Sequence, residues 1–349
     1  MKAVPETAPG PLFIVSMWRA GSSLLHVLLN KHPQVALMFE ADLLLLRPVF
    51  LKPDSMNDWT DRWELWNQAF TRHSLDPTEF AATRPDFHTV FEAVHREYAR
   101  RKGAAIWGDK SPNYHDQLVQ MAKAFPVARF IIVWRDPIDV IGATFRAAST
   151  GSRYFRKRGM PWRSLLGYRI FKQQCQEIID AGAAVHQLHY EDLVNDTAGV
   201  MRKVCAFLQI PYDDSLCTLE GADRSAVYSG RHHHLLRENA IVAGPRPNAL
   251  DPGLRQRAER YVKLWREIED TADDSNVRPR QGLFALAGFS IDQIRYRLYR
   301  ALDALIRLGF CFLPIPLLRW HRKTKQRGEN ATAIKNCGEL SPITDINHE

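Results

Sequence analysis

Short, uninterrupted apolar runs alternate along this chain with stretches of helical periodicity. Leu12–Val15 leads into an apolar-rich helix over 22–31. Phe130–Trp134 leads into Arg135-Asp136-Pro137 and a helix from about 137 to 148, and Val185–His189 into Tyr190-Glu191-Asp192-Leu193 and a helix near 197–208. Apolar runs that do not alternate with polar residues read as strands buried on both faces. Their repetition with helices predicts an α/β fold, a parallel sheet with helices on both faces. In such sheets ligands bind beyond the carboxyl ends of the strands, where the loops gather.

The alternation lapses over 47–105, a helical, polar and tryptophan-rich insertion. Trp59, Trp63 and Trp66 fall at i, i+4 and i+7, on one face of a helix. Either that stripe packs on the main domain, or the insertion caps a substrate cleft and its aromatic face lines it. Residues 10–270 make up the main domain in this reading, and 271–282, polar and carrying Pro and Gly, a linker. Over 283–327 follows a basic amphipathic segment. Ile291, Ile294, Leu298, Leu302, Leu305 and Gly309 share one stripe, Arg297, Arg300 and Arg307 the opposite side, and a cluster from Arg319 to Arg327 closes it. Such a segment lies at an anionic membrane surface, or it packs on the domain with its charges solvated. Residues 328–349 read as a disordered tail.

Charge alters the picture only once it is located. The 349 residues carry a formal +8 and a pI near 9.3, but residues 291–327 hold nine Arg/Lys against two Asp, so they account for nearly all of it. A nucleic-acid partner is therefore not expected. Composition is that of a soluble globular protein, 45% hydrophobic and 25% charged. Five scattered cysteines, odd in number and never spaced C-x-x-C, argue against a disulfide framework and a zinc site. MKAVPETAPG lacks a signal-peptide core, and no run reaches about 18 uncharged apolar residues. The expected setting is cytoplasmic and reducing, with peripheral attachment to the inner face of a membrane as an option. The sequons at Asn195 and Asn330 read as chance there.

The chemistry starts at Met17-Trp18-Arg19-Ala20-Gly21-Ser22-Ser23. A strand feeding a glycine turn at a helix N-terminus makes an anion cradle of backbone N–H groups, helix dipole and hydroxyls. A Walker A loop would place Lys directly after the glycine. Here Ser22 stands there, and the cation, Arg19, precedes the glycine by two residues. Arg135, delivered by a strand to the sheet edge, can grip a phosphate bidentately, and Asp136 can cap the following helix or brace that arginine. Gly108-Asp109-Lys110-Ser111-Pro112-Asn113-Tyr114 reads as a turn holding a lysine. Glu40, ending the run Val35–Phe39, can serve as a general base or pair with Arg19 or Arg47. His232-His233-His234 has no accompanying ligand spacing, and no metal is called for.

The order of these pieces resembles the sulfotransferase family that uses PAPS (3′-phosphoadenylyl sulfate), over roughly residues 10–270. It is nearer the tyrosylprotein and bacterial carbohydrate/lipid branch. The resemblance implies a P-loop-like sulfotransferase fold and a sulfuryl transfer to an acceptor hydroxyl, on a lipid, amphiphile or carbohydrate. It implies that Arg19, Ala20, Gly21, Ser22 and Ser23 bind the donor's 5′-phosphosulfate, that Arg135 binds the 3′-phosphate, and that Tyr190 lies near the adenosine end. Glu40 matches the catalytic base and Lys110 the lysine that stabilises the transferring group. The family's second 3′-phosphate ligand, a serine eight residues after the arginine, is replaced by Ala143. Thr144 is the substitute expected, with Arg146 and Ser149 further along the helix and Arg231, Arg237 and Arg246 as unranked candidates. The alternatives are a P-loop kinase or NTPase-like phosphotransferase, and a non-catalytic membrane-surface protein whose donor site has decayed.

Overall fold

The computed structural model describes residues 10–51, 58–80, 86–149, 161–227 and 283–324, with short pieces between 236 and 263. The expected linker, the tail, His232–His234 and the candidates Arg231, Arg237 and Arg246 lie outside the described residues.

Five parallel strands form one sheet in the order β2-β3-β1-β4-β5: β1 (Leu12–Ser16), β2 (Val35–Phe39), β3 (Ile106–Lys110), β4 (Arg129–Trp134) and β5 (Ala184–His189). β1 is central and wholly buried, and its side chains alternate between two cores. Phe13 and Val15 join Phe130, Met38 and Trp107 on one face, while Leu12 and Ile14 join Leu37, Ile131 and Val133 on the other. Helix α1 (Ser22–Leu29) covers the second face. Helices α2 (Trp59–Asn67), α3 (Ala69–Arg72) and α4 (Phe87–Arg101) contribute to the first.

From β1 the chain runs to β2 on one side of the sheet, fills in β3, and then crosses to β4 on the other. The loops after β1 and β4 therefore diverge at neighbouring strands, the place where open parallel sheets hold ligands. Pro137 opens α6 (Pro137–Ser149), and Asp136 caps it by accepting from the N–H groups of Ile138 and Asp139 at 2.8 and 3.2 Å. The chain continues through α5 (Leu118–Ala124, between β3 and β4), α7 (Pro161–Asp180, before β5), α8 (Tyr190–Asn195), α9 (Thr197–Leu208) and α10 (Leu283–Phe312).

One sequence reading changes, and one pair of alternatives is decided. Gly108-Asp109-Lys110 is not turn but the end of β3, even though Gly, Asp and Lys are poor strand formers. The pairing requires the glycine. Gly108 has φ +152, and a Cβ there would stand 1.9 Å from the Leu12 carbonyl oxygen of β1. The tryptophan stripe is core rather than cleft lining for Trp59 and Trp63, which pack against each other and Phe70, while Trp66 packs edge-on against Phe310 of α10.

Candidate active site

The cradle after β1 is shaped by one glycine. Gly21 sits at φ +98 as the N-cap of α1, and a Cβ there would lie 2.1 Å from Cδ2 of Tyr190. The ring of Tyr190, first residue of α8 after β5, thus lies against the turn. The first N–H groups of a helix lack the usual acceptor one turn back, and here the Leu24 N–H turns to the Gly21 carbonyl at 2.9 Å. Ser16 Oγ lies 2.7 Å from Ser22 Oγ and 2.9 Å from the Met17 carbonyl, so the end of β1 fixes the first helical hydroxyl.

Three arginines surround this turn. Arg135, at the end of β4 and 8% exposed, donates through Nη1 to the Arg19 carbonyl at 2.9 Å and stacks its guanidinium 4.4 Å over the Tyr190 ring. Its own carbonyl accepts from the Tyr168 hydroxyl at 2.8 Å. Burial, followed by repulsion from Arg135 and Arg146, pushes Arg19 down to about 10. Burial also lowers Arg146, with Arg135 the next cause. Asp139 opposes the shift on Arg146, while burial raises its own carboxyl. Like charges gathered inside a protein are an arrangement that an incoming anion relieves. The buried Nε of Arg135 has no hydrogen-bond partner.

At the ends of β2 and β3, Lys110 Nζ lies 2.7 Å from Glu40 Oε1 and 2.9 Å from Ser23 Oγ. The lysine is 1% exposed and rests 4.4 Å over the Phe39 ring; the glutamate remains 15% exposed. One buried ammonium therefore joins the cradle to the only member of the pair that reaches solvent.

Glu40 sits on a strained loop. Glu40 and Asp42 both have positive φ, 49° and 57°, which non-glycine residues adopt only when their surroundings enforce it. The enforcement comes from four directions. The Glu40 N–H donates to the Lys110 carbonyl at 2.8 Å, and the Glu40 carbonyl accepts from Asn67 Nδ2 and Arg72 Nη2, both at 2.9 Å. Trp63 Nε1 donates to the Ala41 carbonyl at 2.6 Å. Buried Asp109 accepts from the Ala41 N–H at 3.3 Å and from the Tyr114 hydroxyl at 2.7 Å. Asp42 accepts from Ser111 Oγ at 2.5 Å and Asn113 Nδ2 at 2.9 Å, and Asn113 Oδ1 accepts from Trp18 Nε1 of the cradle at 3.1 Å. Burial, then the neighbouring charge of Glu40, raises Asp42 to about 6; burial, then Asp42, raises Asp109 to about 7.

The structure thus gathers Arg19, Ala20, Gly21, Ser22, Ser23, Glu40, Lys110, Arg135 and Tyr190 at adjoining strand ends. Thr144 differs: buried in α6, its hydroxyl donates to the Val140 carbonyl at 2.8 Å, within its own helix. Arg146 is the α6 residue whose charge reaches Arg19 and Arg135. Sequence reasoning also missed Trp18, Asp42, Asn67, Asn113 and Tyr114. The one available signal was the polar run Ser111-Pro112-Asn113-Tyr114 directly after a buried strand, the position where a parallel sheet builds its loops.

A family model described as "Sulfotransferase family" matches residues 11–214. The chain belongs to the sulfotransferase family. The matched range holds all five strands and every site residue above. Protein-tyrosine sulfotransferase 1 of Danio rerio is 26% identical to this sulfotransferase over 218 residues, 59% of this chain and 54% of that protein. Protein-tyrosine sulfotransferase A of Caenorhabditis elegans is 22% identical over 209 residues, 59% of this chain and 51% of that protein. The match spans about half the length of these curated relatives. The sulfotransferase domain from the curacin biosynthetic pathway shares the fold, with a TM-score of 0.52 at 20% identity over 73% of this chain and 98% of that domain.

Proposed function

We propose that this sulfotransferase moves a sulfuryl group from PAPS to a hydroxyl of a lipid, amphiphile or sugar acceptor, in a cytoplasmic setting. The observation that carries the reading is the string Ser23–Lys110–Glu40, in which one buried ammonium touches both the anion cradle and a half-buried carboxylate. The lowered Arg19, its charge opposed by Arg135 and Arg146, and the buried, unpartnered Nε of Arg135 fit a donor with two separated anionic groups. PAPS supplies an activated sulfuryl group on its 5′-phosphate and a second anion at the 3′ position. Arg19 and residues 20–23 would hold the first, Arg135 with Arg146 the second, and Tyr190 would flank the nucleoside. Thr144 is not included, because its hydroxyl is turned into α6.

In this account Glu40 takes the acceptor's proton as the acceptor oxygen bonds to sulfur and the bond from sulfur to the phosphate oxygen breaks. Negative charge gathers on the departing oxygen. Lys110, Arg19 and the first N–H groups of α1 are fixed in advance to meet that charge, and groups fixed in advance need not reorganise during the reaction. The acceptor class is supported by family resemblance and by the aliphatic, exposed C-terminal segment. The reducing setting is supported by the free Cys175, Cys205, Cys217 and Cys311.

Titration calorimetry with 3′-phosphoadenosine 5′-phosphate and with Mg-ATP tests the donor assignment. Binding of the bisphosphate in preference to Mg-ATP is expected. Preference for Mg-ATP would revive the phosphotransferase alternative. Binding of neither would favour a non-catalytic membrane-surface protein.

A further inference from the structure

Helix α10 is amphipathic the wrong way round for a helix packed on a globular domain. Such a helix ordinarily turns its apolar stripe to the core and its charges to water. Here the side carrying charge faces inward. Arg300 pairs with Asp116, whose side chain is 5% exposed, Arg307 and Asp303 are half-buried and pair with each other, and Phe310 packs on Trp66 with ring centroids 4.9 Å apart. Arg62 reinforces the seat by donating to the Phe310 and Leu313 carbonyls at 3.1 and 2.8 Å. The apolar stripe faces outward: Ile294, Leu298, Leu302 and Leu305 are 57%, 65%, 54% and 64% exposed. The helical stretch at 315–324 continues the surface with Leu317 and Trp320, 52% and 65% exposed. Of the exposed large hydrophobic residues described, all but Val127 lie between 291 and 320. An apolar patch of this size and continuity is an interaction site.

We infer that α10 and the stretch 315–324 dock this protein onto the surface of an anionic lipid bilayer. Charge selects that occupant. Arg297, His321 and Lys323 are exposed beside the apolar stripe, as is Arg319, which pairs with Asp61, and residues 291–327 are strongly cationic as a whole. A second copy meeting this face would bring like charges together, whereas acidic headgroups complement them. Trp320 stands where an aromatic ring settles at the boundary between headgroups and acyl chains. No helix among the described residues is long and apolar enough to cross a membrane, so the segment lies on the bilayer rather than through it. At about 1.5 Å per residue, the 30 residues of α10 lay some 45 Å of helix along the surface. Both helical pieces lie beyond the family match, which ends at residue 214. The helix that seats it, α2, ends at Asn67, which holds the Glu40 carbonyl. The docking itself stands independently of the donor chemistry.

Sedimentation of the full chain with vesicles tests the inference. Vesicles of phosphatidylcholine with about a third phosphatidylglycerol should pellet the protein at least tenfold more strongly than phosphatidylcholine alone, and raising salt to about 0.5 M should release much of it. The triple substitution Leu298→Glu, Leu302→Glu, Leu305→Glu should leave the protein in the supernatant with unchanged circular dichroism and melting temperature, because those side chains are more than half exposed. A blue shift in Trp fluorescence on adding anionic vesicles, lost in Trp320→Phe, should report insertion of that ring. Equal pelleting of the wild type and the triple variant would overturn the inference. So would concentration-dependent dimerisation abolished by the triple substitution, with no vesicle binding by the wild type.

Discussion

Lys110 Nζ stands 2.7 Å from Glu40 Oε1, and this ion pair is also the bridge between two strands' ends and the anion cradle, because the same nitrogen reaches Ser23. The Glu40 N–H in turn donates to the Lys110 carbonyl at 2.8 Å, so backbone and side chain tie the same two residues together twice. The relationship holds the proposed base and the proposed leaving-group cation at fixed separation before any acceptor arrives.

Lys110→Ala should therefore lower kcat by about 10²–10³, the usual cost of removing one preorganised donor from developing charge. Binding of 3′-phosphoadenosine 5′-phosphate should change far less. Single-turnover assays paired with calorimetry separate the two, and a variant that loses binding and keeps kcat would remove Lys110 from the chemistry.

Gly21→Ala should abolish bisphosphate binding and cost stability, because the added methyl meets both a positive φ and the Tyr190 ring. Tyr190→Ala relieves only the second conflict. The double variant should thus be more stable than the sum of the two single changes predicts, by about 0.5–3 kcal/mol of coupling. Strict additivity in denaturant midpoints would show that the ring does not press on the glycine.

Arg146→Ala should weaken 3′-phosphoadenosine 5′-phosphate binding more than adenosine 5′-monophosphate binding, since only the former carries a 3′-phosphate. Thr144→Val should leave both affinities near wild type, because the Thr144 hydroxyl is already committed to the Val140 carbonyl. Calorimetry with the two nucleotides checks this, and a large effect of Thr144→Val confined to the bisphosphate would reverse the assignment.

Asp109 gives a signed pH dependence. An unfolded aspartate titrates near 3.9, while buried Asp109 is raised to about 7. Between these values the folded state holds a proton that the unfolded state has released, so stability falls as pH rises through the window. Asp42, raised to about 6, acts with the same sign. Asp109→Asn removes the ionisation while the Tyr114 hydroxyl can turn to accept from the new amide. Relative to wild type, the variant should gain stability steadily from pH 4 to 7 and level off above that. Urea unfolding at pH 5 and pH 8 measures it, and a pH-independent difference would contradict the burial-driven shift.

Much of this was legible in the sequence because buried strands of a parallel sheet write themselves as unbroken apolar runs. Leu12–Ser16, Val35–Phe39 and Arg129–Trp134 come out within a residue of expectation, and with them the strand-end positions of Arg19, Glu40 and Arg135. Lys110 read as a turn residue because Gly108 and Asp109 look like one; only the close approach of β1 explains a glycine there. The bracing of Glu40 was illegible for a different reason. Asn67, Arg72 and Trp63 reach its loop from α2 and α3, and such contacts are set by how the insertion lies across the sheet, not by local spacing. The periodicity of α10 was plain, but which of its sides met the domain was not, since a stripe and its opposite face are equally periodic.

The central claim, that Glu40 is the base in sulfuryl transfer from PAPS, is tested most directly by Glu40→Gln. Labelled PAPS and a set of lipid and sugar alcohols give turnover for both proteins, with 3′-phosphoadenosine 5′-phosphate affinity measured alongside. The account predicts that the variant binds the bisphosphate as wild type does and transfers sulfate at least about 10²-fold more slowly, the scale of a lost general base. Wild-type turnover by Glu40→Gln with donor binding intact would contradict it.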